Sequence, residues 1–104
     1  MMAMDYIRKN YMDPDLSLNS ICSYLNISTS RFSAIFKSVT GETFMEALTG
    51  IRMQKARDLL ENTALKNYEI AEKVGFSDPH YFSAAFKKAT GKSPTEYARE
   101  KRGM

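Results

Sequence analysis

Ile27-Ser28-Thr29-Ser30-Arg31-Phe32-Ser33-Ala34-Ile35-Phe36-Lys37, closing on Thr40-Gly41, returns as Phe76-Ser77-Asp78-Pro79-His80-Tyr81-Phe82-Ser83-Ala84-Ala85-Phe86-Lys87, closing on Thr90-Gly91. Phe32 and Phe82, Phe36 and Phe86, Lys37 and Lys87, and Gly41 and Gly91 lie 50 positions apart, whereas Ile21 and Ile70, and Ser28 and Ser77, lie 49 apart. One residue has been added in the second copy's turn. A period of this length marks a duplicated supersecondary unit, and the pattern within it is helical.

Outward from that repeat, the rest of the chain reads as helix too. Tyr6, Ile7 and Tyr11 set a first helix over Met4 to Met12, ended by Asp13-Pro14-Asp15. Leu18, Ile21, Cys22 and Leu25 mark a second, with Asn26 at its stop and Ser28 or Thr29 as the cap of the next. The third runs from Ser30 to Val39 and halts at Gly41. Thr43 opens a connecting helix through Phe44, Ala47, Leu48, Ile51, Met53, Ala56, Leu59 and Leu60, with Glu46, Arg52, Gln54, Lys55, Arg57 and Asp58 assigned to its other side. It spans roughly 18 residues, hence roughly 27 Å, and Gly50 within it predicts a kink. Tyr68, Ile70, Ala71 and Val74 form a fifth helix, Gly75 the turn, and Asp78-Pro79 a cap followed by a first-turn proline. The sixth reaches Ala89, and Ser93-Pro94-Thr95-Glu96 starts a last helix whose tail carries Arg99, Lys101 and Arg102.

The expected fold is therefore all-α, with about seven helices and no competing β signal. It is one domain over 1–104: a first helix-turn-helix unit at 5–42, a connecting helix at 43–61 and a second unit at 67–102. A chain of 104 residues with 43% hydrophobic content supports one modest core and no large second one.

Composition narrows the function. No apolar run approaches the roughly 18 residues of a membrane span, and Met1-Met2-Ala3-Met4 leads at once into Asp5 and Arg8, so a cytoplasmic protein without membrane contact is expected. A single cysteine, Cys22, leaves no intrachain disulfide, and with one histidine it cannot assemble an ordinary zinc site. No cofactor or small-molecule ligand is expected in this domain. Net charge is only +3, but its placement is uneven. Thr29 to Gly41 and Pro79 to Thr95 hold no Asp or Glu, while Arg31, Lys37, Lys87, Lys88 and Lys92 fall inside them.

On a wheel of about 100° per residue the third helix groups Phe32, Ile35, Phe36 and Val39 inward, leaving Ser30, Ser33, Ala34 and Lys37 outward with Arg31 and Ser38 flanking. The sixth places Phe82, Ala85, Phe86 and Ala89 inward and His80, Ser83, Ala84 and Lys87 outward, flanked by Tyr81 and Lys88. Cys22 and Ala71 are small residues at matching places, letting paired helices cross closely, and Ile27 and Phe76 plug the turns. A helix with small and polar groups outward, edged by cations, suits the major groove of duplex DNA. Two such helices side by side, about 34 Å apart, would meet successive major grooves.

The run Arg52-Met53 with Ala56 and Leu60, then Ile70 to Asp78, Tyr81-Phe82-Ser83, Phe86-Lys87, Thr90-Gly91 and Ser93-Pro94-Thr95-Glu96-Tyr97, resembles the signature of the AraC/XylS transcription regulators. The resemblance covers Tyr6 to Ala98. It implies two helix-turn-helix units joined by a long helix, duplex DNA as partner, and a regulator of a kind that often recruits RNA polymerase. The entry Asp13-Pro14-Asp15-Leu16-Ser17-Leu18 looks closest to output domains fused to two-component receivers, so a receiver or effector domain in a longer parent chain is implied. Many members carry Arg in the middle of each reading helix, where this chain has Ala34 and Ala84. Those alanines suit thymine methyls, and base contact passes to Ser30, Arg31, Ser33, His80, Tyr81 and Ser83. Lys37, Lys87 and Lys88 are assigned to phosphates, as are the helix starts at Ser28 and Ser77.

Two other classes compete. Catalysis finds little: Cys22 and His80 fall in opposite repeat units, and no phosphate loop or paired carboxylate is present, so no enzyme is expected. A helix-turn-helix module that binds protein is the alternative, and salt dependence separates it from a DNA reader.

Overall fold

The computed structural model describes residues 2–101, and among them forms α1 (Met2–Asn10), α2 (Leu18–Leu25), α3 (Thr29–Thr40), α4 (Phe44–Asn62), α5 (Asn67–Lys73), α6 (Pro79–Thr90) and α7 (Pro94–Lys101), with no strand. The tail position Arg102 lies outside the described residues, and Arg99 and Lys101 belong to α7 itself.

Local chemistry sets the helix ends, and it repeats. Ser28 Oγ accepts from the Arg31 N–H at 3.2 Å to start α3, and Asp78 Oδ1 accepts from the His80 N–H at 2.9 Å to start α6. Caps of this kind contribute about 1 kcal/mol each. Because Ser28 and Asp78 hold the equivalent place, the added residue of the second copy is Ser77, not a counterpart of Ser28. At the far ends, Thr40 Oγ1 donates to the Phe36 carbonyl at 2.7 Å and Thr90 Oγ1 to the Phe86 carbonyl at 2.8 Å. Reciprocal capping boxes follow, Thr43 with Glu46 and Ser93 with Glu96.

Two apolar clusters form the core. Ile7, Ile21, Cys22, Phe32, Phe36, Phe44 and Leu48 fill the first, and Met53, Ala56, Leu60, Ile70, Ala71, Phe82 and Phe86 the second. Phe44 meets Phe36 edge-on at 6.4 Å in the first, and Tyr97 meets Phe86 edge-on at 5.4 Å in the second. Tyr11 packs against both.

α4 serves the two cores with two different faces. At about 100° per residue, Phe44, Ala47, Leu48 and Ile51 cluster on one side, while Met53, Ala56 and Leu60 lie roughly 160° further round. The expectation of one apolar face with Arg52 opposite is corrected: Arg52 sits at the seam between the faces and is 8% exposed.

Other expectations also change. Ile35 and Val39 are exposed (43% and 65%), Ala89 is exposed and Ala85 half-buried, because α3 and α6 meet their neighbours along a narrow stripe of two phenylalanines each. Tyr68 is exposed as well, so α5 buries only Ile70 and Ala71. α1 ends before Tyr11 rather than at Met12, since Asn10 turns its side chain back onto the Tyr6 carbonyl at 2.9 Å.

α4 runs unbroken through Gly50, against the predicted kink. Gly50 is exposed and a Cβ there would meet nothing within 4 Å, so Gly50→Ala is expected to raise stability by about 0.5–1 kcal/mol. A lowered melting temperature would show that the glycine is needed for the helix's path.

α7 is tied to α4 by the Tyr97 hydroxyl, which donates to Glu61 Oε2 at 2.7 Å. Burial first, then the bond to the Glu61 carboxylate and its charge, push the phenol's pKa from its ordinary value near 10 up to about 12. The folded state thus holds this proton where the unfolded chain has lost it. The contribution is complete below pH 10 and disappears as pH rises through about 12. Tyr97→Phe should lower neutral-pH stability by under about 1 kcal/mol and remove that part of the alkaline loss. Alkaline denaturation curves of the same shape for both proteins would contradict it.

Candidate nucleic-acid interface

α3 turns its phenylalanines inward, and its remaining side chains are free to face a partner. Ser28, Ser30, Arg31, Ser33, Ala34 and Lys37 are all exposed. Ala34 lies opposite Phe32 and Phe36, so the smallest side chain stands at the crest of the outward surface. A helix with a low crest approaches a groove floor closely, with Ser30 and Arg31 one turn earlier beside it. The exposed pair Ile35 and Val39 forms one flank, so that flank is apolar rather than buried.

α6 repeats the arrangement with different edges. Ser77, His80, Tyr81, Ala84, Lys87 and Lys88 are exposed, but Ser83 is half-buried, which limits its reach outward. Tyr81 rests its ring 5.9 Å from that of Phe76, so the turn that plugs the second core also steadies this exposed aromatic. Asp78 at the cap spends one carboxylate oxygen on the His80 N–H, which places negative charge at the helix start beside Ser77. A phosphate near Ser77 therefore meets a less favourable field than one near Ser28, where the cap is neutral.

The lysines near the helix ends each lie close to the carboxylate of the following capping box. Glu46 is held below the usual carboxylate range by the Thr43 N–H and hydroxyl, with Lys37 adding to the effect. Glu96 is held down in the same way by Ser93, with Lys87 and Lys92 adding. Each fixed carboxylate anchors the field around its lysine, and the geometry recurs 50 residues on.

A groove of about 800 Å³ runs between α6 and the first half of α4. Tyr81, Ala84 and Lys88 form one wall and Met45, Thr49 and Gly50 the other, so the outward face of α6 and the connecting helix border the same space. Arg57 also reaches it, with a buried Nε that has no hydrogen-bond partner. The Cys22 thiol is buried, and burial raises its pKa, which keeps it protonated and unreactive. Among the described residues no group of three or more His, Cys, Asp or Glu could hold a metal, and no helix is long and apolar enough to cross a membrane.

These are paired, matched helix-turn-helix units, and comparison with known proteins places them. The profile of a helix-turn-helix domain matches residues 21–100, spanning both copies. The C-terminal domain of AraT, a response regulator from Geobacillus stearothermophilus, is 46% identical, superposes with a TM-score of 0.94 and covers 95% of this chain and 82% of that one. The chain belongs to the AraC/XylS family. This AraC/XylS domain is likewise similar to the C-terminal domain of the two-component response regulator yesN from Fusobacterium nucleatum, at 39% identity and a TM-score of 0.92 over 93% of this chain and 94% of that one. The Msm operon regulatory protein of Streptococcus mutans is 41% identical over 85 residues, 82% of this chain and 31% of that protein. The chain spans about a third of the length of the first curated relatives it matches, 31% to 34%. An AraC-type domain is the DNA-binding part of a transcription regulator, and that is the class of this chain.

Two features escaped the sequence reading. Arg52 carried no local signal of burial, since arginine is rarely enclosed, even between apolar neighbours such as Ile51 and Met53. Asp78 is the cap that its residue type predicts, but its equivalence to Ser28 was hidden by the serine at 77, which aligns just as well by residue type.

Proposed function

We propose that this domain binds duplex DNA sequence-specifically, with α3 and α6 entering successive major grooves on one side of the helix. The observation that carries the proposal is the exposure of two acid-free helix faces, 50 residues apart in the chain, each backed by a buried pair of phenylalanines, ended by Thr-Gly and edged by lysine. A body 48 Å long and about 20 Å across has room for two readers about 34 Å apart. Ser30, Arg31, Ser33, His80 and Tyr81 are assigned to base edges, Ala34 and Ala84 to thymine methyls, and Lys37, Lys87, Lys88 and the hydroxyls of Ser28 and Ser77 to phosphates. Ser83 takes a minor part, being half-buried. In a longer parent chain the domain acts in the cytoplasm as the output of a receiver or effector domain, and the bound regulator contacts RNA polymerase.

Selection from a random duplex pool tests the proposal, and should return two conserved half-sites about 10 base pairs apart. Recovery of a single half-site, or of none, would refute the two-groove reading. The phosphate assignments are tested by salt. Log affinity should fall with log salt by about 0.9 per phosphate neutralised, and Lys37→Ala or Lys87→Ala should each reduce that slope by about one with little change in base preference. A slope unaffected by both substitutions would move the lysines off the backbone.

A further inference from the structure

The reading above needs two helices held at a fixed angle and spacing, and one side chain is placed to hold them. Arg52 Nε donates to the Tyr11 carbonyl at 2.9 Å and Nη2 donates to the Asp13 carbonyl at 2.9 Å. Both acceptors belong to the turn that leaves α1, in the first unit. The same guanidinium lies 5.5 Å from the centroid of Phe76, in the turn that precedes α6 in the second unit. Gly75, next to it, has so little room that a Cβ would fall 2.3 Å from the Tyr11 carbonyl oxygen and 2.8 Å from Arg52 Nε. The α1 exit turn and the α5–α6 turn are therefore in direct contact, with Arg52 wedged between them from the seam of α4.

We propose that Arg52 is a positioning residue: it touches no DNA, and it sets the rotation of the α6 unit against the α3 unit, and so the half-site spacing that the domain accepts. Its planar fork satisfies two carbonyls while its flat face lies on Phe76, a combination the single ammonium of lysine cannot reproduce. Phe76 in turn packs on Phe82 at 5.4 Å and Tyr81 at 5.9 Å, so the contact continues directly into α6. The inference rests on the two-groove reading, and the experiment separates the two.

The test uses the whole chain and a duplex selected as described above, with variants of that duplex in which the half-sites are moved by one or two base pairs, about 34° of rotation each, and one with the second half-site scrambled. For the parent, each shift should weaken binding at least about tenfold, the rigid-spacer result. For Arg52→Ala and Arg52→Lys, affinity for the scrambled duplex should stay within about twofold of the parent. Affinity for the full site should fall by about tenfold or more, and the shift penalty should shrink below about threefold. An equal loss on full and scrambled duplexes, or an unchanged shift penalty, would overturn the proposal, leaving Arg52 as a fold stabiliser only. Should Arg52→Ala not fold, Arg52→Lys carries the test. Spin labels at Ser23→Cys on α2 and Lys73→Cys on α5, in a Cys22→Ala background, give a reading without DNA. The interlabel distance distribution should broaden in Arg52→Lys, and an unchanged distribution would equally overturn the proposal. If the parent selects no duplex, the two-groove reading fails while the distance measurement still decides the role of Arg52.

Discussion

Gly75→Ala is expected to lower the unfolding free energy by about 4 kcal/mol, a large share of the roughly 5–15 kcal/mol of a domain of this size. Two effects combine. The backbone at Gly75 has φ +98°, a conformation that L side chains rarely adopt, and forcing alanine into the left-handed region costs about 1–2 kcal/mol. The larger effect is the 2.3 Å approach to the Tyr11 carbonyl, because neither that backbone oxygen nor the guanidinium bonded to it can retreat without breaking the contact between the two units. The first unit supplies a control. Its equivalent turn uses Asn26 at φ 56°, a residue that tolerates the left-handed region. If φ alone mattered, Gly75→Asn would rescue most of the loss. Since contact dominates, Gly75→Asn should be about as damaging as Gly75→Ala, whereas Asn26→Gly should change stability by less than about 1 kcal/mol. Urea unfolding of the three variants decides it, and a Gly75→Ala protein within about 1 kcal/mol of the parent would mean that the two turns separate at little expense.

Phe86→Ala should be nearly as severe, at about 3–5 kcal/mol. The ring is fully buried, with its centroid 5.9 Å from that of Phe82 and 5.4 Å from that of Tyr97. The informative part is how far the damage travels. The second core contains the C-terminal half of α4, and the first contains the N-terminal half, so unravelling one end of that helix removes a wall from the other. Backbone amides of α2, remote from the substitution, should therefore exchange faster in Phe86→Ala by a factor similar to those of α6. Acceleration confined to α5, α6 and α7 would show that the halves unfold independently and that α4 does not couple them.

How much of this was readable beforehand depends on whether the signal was local. The helix ends were legible because caps are short-range chemistry: Asn26, Gly41 and Gly91 adopt the left-handed conformation expected at stops, and Thr43, Ser93 and Asp78-Pro79 begin helices as their residue types predict. The outward set on α3 and α6 was legible because the four phenylalanines define the inward direction unambiguously. The width of the inward stripe was not. Ile35 and Val39 read as core by hydrophobicity, yet whether an apolar side chain is covered depends on what the neighbouring helices reach, and no local rule says how far they reach. The two faces of α4 are hidden for the same reason: one helical period runs through Gly50 in the sequence, yet the buried direction swings round the axis there. Arg52 falls at that swing, and its acceptors at Tyr11 and Asp13 are some 40 residues away in the chain.

That swing has a consequence for how such proteins diverge. A residue gained or lost between Leu48 and Met53 would turn everything downstream by about 100° and displace it by about 1.5 Å, misaligning one apolar surface or the other. A change of length in this stretch is therefore expected to cost more than one in the loops on either side of α4. Ancestral halves joined in this way can exchange side chains for new targets, but they can no longer be shuffled separately, and the pair is inherited as a block.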